Sequence, residues 1–87
     1  MSEVLRVSSK SRPSAVAGAI AGVMRQSGSA EIQAIGAGAT NQAVKAIAIA
    51  RTFLEVEGID MVCIPGFSTI SIDGNDRTAM RLLLQTR

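Results

Sequence analysis

The chain has 87 residues, 47% of them hydrophobic but only two aromatic, and a formal charge of +2 from nine Lys and Arg against seven Asp and Glu. That length fits one domain spanning residues 1–87. The lack of histidine removes the commonest general base and metal ligand, and a single cysteine, Cys63, excludes an internal disulfide.

Much of the hydrophobic content is alanine, which buries little area per residue. A core this lean favours further burial through self-association, so a homo-oligomer, dimer or tetramer, is expected. No apolar run approaches the roughly 18 residues of a membrane span. The opening MSEVLRVSSKSR lacks an apolar segment of signal-peptide length. The expected location is the cytoplasm, with no membrane partner.

Glu3 to Ser8 alternates as a strand, with Leu5 and Val7 on one face and Val4 and Arg6 on the other. Ser8 to Arg12 reads as a basic loop. Pro13 suits the first turn of a helix, which runs to about Gln26 and stops at Ser27-Gly28. Val16, Ile20, Val23 and Met24 form its apolar stripe. Ala15, Gly18, Ala19 and Gly22 form a smooth opposite face, open to close approach by another backbone from this chain, a second subunit or a ligand. Its two mid-helix glycines each cost about 1 kcal/mol relative to alanine.

A second strand, Glu31 to Ile35, completes a βαβ unit with parallel strands and a right-handed crossover. The glycine turn Gly36-Ala37-Gly38 follows. A second helix is predicted from about Thr40, its N-cap, to Leu54. Its apolar face holds Ala43, Ala46, Ile47, Ala50, Phe53 and Leu54, with Asn41, Lys45 and Thr52 opposite. Ile59 to Ile64 reads as a buried strand that includes a buried Cys63. Pro65-Gly66 predicts a bulge or bend, and the run resumes from Phe67 to Ile72. Asp73 to Asp76 is a hairpin turn, and Arg77 to Thr86 the last strand. The fold class is α/β: a two-layer sandwich of order β-α-β-α-β-β with a terminal β-hairpin.

The carboxylates stand at strand starts, helix ends and turns, with no pair set across one cleft. No Ser/His or Cys/His arrangement can be built, so neither a catalytic residue nor a metal site is predicted. Gly36-Ala37-Gly38 fails the phosphate-loop pattern, because no Gly-Lys-Ser/Thr follows. It fails the dinucleotide pattern because Asn41 stands where a third glycine is needed. What remains is a backbone turn able to approach an anion. The basic loop around Lys10 and Arg12 leaves the C-terminal end of the adjacent parallel strand. It should therefore share a sheet edge with Gly36, Ala37 and Gly38, an arrangement suited to a polyanion backbone.

The segments SSKSRPSAVAGAIAGVMR, AEIQAIGAGATNQAVKAIAIAR and VCIPGFSTISIDGNDRTAMRL closely resemble the stage V sporulation protein S family. More distantly, the pattern is similar to the Alba chromatin-protein superfamily, whose members share this element order, dimerise and bind DNA or RNA. Alba proteins carry a basic pair before the helix-opening proline, where this chain has Ser11-Arg12-Pro13 beside Lys10. Their basic segment after the second strand is here Ala34-Ile35-Gly36-Ala37-Gly38-Ala39, without a cation.

The resemblance implies an Alba-like domain and a non-enzymatic, regulatory role in spore development, around coat assembly and core dehydration, with no cofactor. Together with the basic loop it implies weak binding of DNA or RNA through Lys10, Arg12, Lys45 and Arg77. Two other readings stay open: an interaction or assembly factor without nucleic acid, and a binder of a small phosphorylated ligand at Gly36 to Gly38.

Overall fold

The computed structural model describes residues 3–87. Six elements follow one another: β1 (Glu3–Val7), α1 (Pro13–Ser27), β2 (Ser29–Ala34), α2 (Ala37–Glu55), β3 (Met61–Ile72) and β4 (Asn75–Thr86). They form a two-layer α/β sandwich in the predicted order, measuring 42 × 25 × 17 Å. The sheet order is β1-β2-β4-β3, with β1 parallel to β2 and β4 antiparallel to both of its neighbours.

Strand alternation sorts the sheet into two faces. Ala30, Ile32 and Ala34 of β2 are buried, as are their partners Leu84 and Leu82 of β4. The two helices pack against each other over this face. The α1 stripe around Ile20 and Met24 meets it, widened by Ala17 and Ala21. From α2 come Ala39, Ala43, Ala46, Ala50 and Leu54. Four alanines against one leucine let α2 lie close to its neighbours, at the expense of buried area per residue. The other sheet face carries Val4 and Arg6, Glu31 and Gln33, Leu83 and Arg81, and Ile64 in register across four strands.

Pro13 opens α1 as predicted. Gly28 closes it in the left-handed conformation at φ 74°, its N–H donating to the Met24 carbonyl at 2.9 Å. Nothing lies within 4 Å of where a Cβ would stand on Gly18 or Gly22. The smooth α1 face therefore meets no other element of the described chain.

Several expectations need correction. α2 begins at Ala37, not near Thr40, with Gly36 as its N-cap. Thr40 does not cap it. Its hydroxyl donates to the Gly36 carbonyl at 2.8 Å, whereas a cap would accept a backbone N–H. Of the predicted glycine turn only Gly36 needs a positive φ, at 89°; Ala37 and Gly38 are already helical.

Phe53 lies off the core face and is 43% exposed, while its neighbour Leu54 is fully buried. β3 runs unbroken through Pro65-Gly66, in continuous register with β4 from Met61 to Ile72. Proline is accommodated there because β3 is an edge strand, where a residue can turn its nitrogen away from the ladder. Cys63 is exposed for the same reason: it sits on an edge the helices do not cover. The hairpin turn is the pair Asp73-Gly74, both with φ positive, as the tightest hairpins require.

Candidate nucleic-acid interface

β1 and β2 run parallel, so the loops that follow them leave the same edge of the sheet. The β1–α1 loop is a tight turn held by its serines. The Ser11 N–H donates to the Ser8 carbonyl at 3.1 Å, the Ser8 N–H to Ser11 Oγ at 2.9 Å, and the Lys10 N–H to Ser8 Oγ at 3.2 Å. Arg12 follows in extended conformation at φ −86° and ψ 119°, as a residue before proline prefers, and becomes the N-cap of α1.

The second loop touches the first. A Cβ on Gly38 would stand 3.1 Å from the Cβ of Ser9, so a larger residue there would push the two loops apart by a few tenths of an ångström. Gln42 of α2 reaches over, its amide Nε2 donating to the Ser11 carbonyl at 3.0 Å. The predicted adjacency of Lys10 and Arg12 to Gly36, Ala37 and Gly38 is therefore realised. No side chain caps α2, so the first backbone N–H groups of the helix, which have no partner within it, lie at the same sheet edge as the basic loop.

Charge is distributed unevenly. Arg25 forks onto Glu57 at 2.7–2.9 Å, and this bond lowers the Glu57 carboxyl and raises the Arg25 guanidinium from their ordinary values. Arg51 and Arg87 share Asp60, and Arg51 also meets Glu55. These pairs gather where α1, α2 and β4 end. Arg81 lies on the helix-free sheet face and donates to Glu31 at 2.9 Å. Gln33 and then Arg81 hold the Glu31 carboxyl below its ordinary value.

Among the described residues Arg6, Lys10, Arg12, Lys45 and Arg77 form no ion pair. Four of these five stand at the opposite end. Arg6 is the last residue but one of β1, Lys10 and Arg12 occupy the loop after it, and Arg77 lies on β4 beyond the end of β2, where Ala34 pairs with Met80. Lys45 stands apart, about two turns into α2 on its exposed side. The hairpin tip also carries Asp73 and Asp76, which moderate the positive field near Arg77.

Arg6 was not singled out from sequence. An arginine at an outward strand position reads as ordinary surface, and only the strand register sets it beside Gln33 and near the serine loop. A cleft of about 390 Å³ lies there, lined by Arg6, Ser8, Ser9, Gln33, Ile35 and Ile70 among others. A second, wider groove of about 610 Å³ separates α2 from the hairpin, with Ala37, Val44, Phe67 and Met80 in its lining. Phe67 is 77% exposed and Val44 53%. Partial burial pushes the Cys63 thiol up, so it is less ionised than a free thiol.

Among the described residues no three His, Cys, Asp or Glu side chains are grouped to hold a metal. Among the described residues no helix is long and apolar enough to cross a membrane. The family model described as Stage V sporulation protein S matches residues 3–87, essentially the whole chain. The chain belongs to the Stage V sporulation protein S family and is a sporulation-related protein.

Proposed function

We propose that this sporulation protein is a non-enzymatic, cytoplasmic regulator that binds DNA or RNA weakly through the end of the domain carrying Lys10, Arg12 and Arg77, with Arg6 beside them. The observation that carries this reading is the segregation of ion pairs. Arg25, Arg51, Arg81 and Arg87 are tied to carboxylates, while Arg6, Lys10 and Arg12 around the β1–α1 loop and Arg77 near the hairpin turn are left free. A free guanidinium can fork onto a phosphate without first giving up a partner. The uncapped start of α2 adds backbone donors at the same edge. Lys45 extends the footprint only if the polymer bends along α2.

Fluorescence anisotropy with labelled DNA and RNA across a salt series tests this. A footprint of three or four phosphates predicts a slope of log K against log salt of about −3 on duplex DNA. Arg12→Glu should weaken binding to every sequence and flatten the slope by about one. Salt-insensitive binding, or an Arg12→Glu variant that binds as wild type, would overturn the reading.

The groove between α2 and the hairpin favours a companion property, self-association. A phenylalanine that is 77% exposed in a chain with two aromatics leaves apolar area uncovered in the monomer. A second copy docked there would also present two sets of free cations to one polymer, raising affinity through avidity. Sedimentation of wild type and Phe67→Glu should show an oligomer dissociating to monomer. An unchanged species in the variant places the contact elsewhere.

A further inference from the structure

We propose that the cleft on the helix-free face of the sheet takes one unstacked nucleotide, with its base against Ile35 and Ile70 and its polar edge on the Gln33 amide. This rests on the nucleic-acid reading above and sharpens it to a ligand class and a place.

The position follows from register. Arg6 of β1 pairs with Gln33 of β2, and both project from the face opposite the helices. Ile70 of β3 pairs with Arg77 of β4 on that same face, so Arg77 stands beside the cleft wall. Ile70 is only 8% exposed although no helix covers its side of the sheet. The β1–α1 loop, with Ser8, Ser9 and Ser11, closes the other side. A volume of about 390 Å³ falls in the range of about 300–1,000 Å³ usual for small-ligand clefts.

The lining is mixed in the manner a nucleotide requires. Ile35 and Ile70 supply apolar surface for the flat of a base. Gln33 is held in one orientation, because its Nε2 donates to Glu31 at 2.9 Å. That leaves its carbonyl oxygen and one N–H uncommitted, an acceptor and a donor side by side, which is the pattern on a base edge. Among the described residues Arg6 forms no ion pair and the Ser9 hydroxyl no hydrogen bond. Both suit the sugar or phosphate, with Lys10 and Arg12 on the same loop. Two residues from Ile70 on the same face, the Ser68 hydroxyl is buried without a partner.

A base held this way has left its stack, so single strands should be preferred over duplex. With no aromatic ring in the lining, stacking contributes nothing and the affinity for one nucleotide stays low.

The test combines two measurements on the full chain. In the first, amide NMR spectra are recorded while UMP or AMP is added, with inorganic phosphate as a parallel titrant. Shifts centred on Arg6, the Gln33 side chain, Ile35 and Ile70, seen with nucleotide and not with phosphate, are expected. Shifts elsewhere, or identical shifts with phosphate, overturn the proposal. In the second, anisotropy compares single-stranded and duplex oligonucleotides of one sequence. Gln33→Ala, checked for folding by circular dichroism, should weaken single-strand binding about fivefold to tenfold and leave duplex binding unchanged.

Equal affinity for both forms, or a Gln33→Ala variant like wild type, sinks the nucleotide cleft even where polymer binding survives. Mononucleotide shifts in the cleft without any polymer binding would instead retain the cleft and discard the polymer reading.

Discussion

Gly36→Ala is a demanding test of the α2 start, because its effect is isolated in the backbone. Gly36 sits at φ 89° and ψ 163°, a region open in practice to glycine alone. An added Cβ would touch nothing within 4 Å, so no steric clash contributes. Forcing a non-glycine residue into that region costs about 1–3 kcal/mol. Alanine recovers about 0.4–1 kcal/mol by restricting the unfolded chain. The net destabilisation should be about 1–2 kcal/mol, or a drop in Tm of about 4–16 °C for a domain of this size.

Gly18→Ala is the matched control. It is also open to solvent for 4 Å around, but it lies inside α1 with ordinary helical angles. It should stabilise by about 0.8–1 kcal/mol and raise Tm by about 4–8 °C. Circular dichroism melts at several protein concentrations measure both. An unchanged Tm for Gly36→Ala, or a loss for Gly18→Ala at every concentration, refutes the reasoning.

Two further outcomes follow from burial and charge. Leu54→Ala should cost about 2–5 kcal/mol, a large part of a small domain's stability, whereas Phe53→Ala one residue earlier should cost far less; urea denaturation compares them, and equal losses would contradict the placement of the α2 stripe. Glu31 is held below its ordinary value of 4.5 by Gln33 and Arg81, so its contribution is full above that value and lost as pH falls through the folded value. Stability should therefore decline on acidification below about 4.5, and urea midpoints of Glu31→Gln should fall less steeply. Parallel slopes for variant and wild type would remove Glu31 from the account.

The βαβ half of the fold was legible because its signals are local. Pro13 and Gly28 bracket α1, and alternation in β2 separates Ile32 from Glu31 and Gln33. The hairpin half was harder. Whether an apolar strand lies in the middle of a sheet or at its edge depends on strand order, a long-range property. Cys63 and Pro65-Gly66 were misread on that account; of the expected turn Asp73 to Asp76, Asp73-Gly74 holds, while Asn75 and Asp76 already belong to β4. At α2, two glycines in three residues suggest a turn, but only Gly36 needs one, and alanine's helix preference extends the helix back over Gly38.

At the candidate site, Lys10 and Arg12 were readable from composition beside a proline. Arg6 and Gln33 were not. Each is an unremarkable outward residue until the hairpin brings Ile70 across the same face.

The placement of β4 has a kinetic consequence. The last of these four strands to be synthesised is a central strand of the sheet, inserted between β2 and β3. Until residues 75–86 have left the ribosome, β2 has β1 alone beside it, and β3 has no partner at all. The nascent chain then exposes two unpaired strand edges, together with the apolar positions that Leu82 and Leu84 will cover. Closure of the sheet joins segments distant in sequence and is the slow kind of step in folding. The time between synthesis of β3 and insertion of β4 is when this protein is most open to aggregation, and to any chaperone that recognises bare strands.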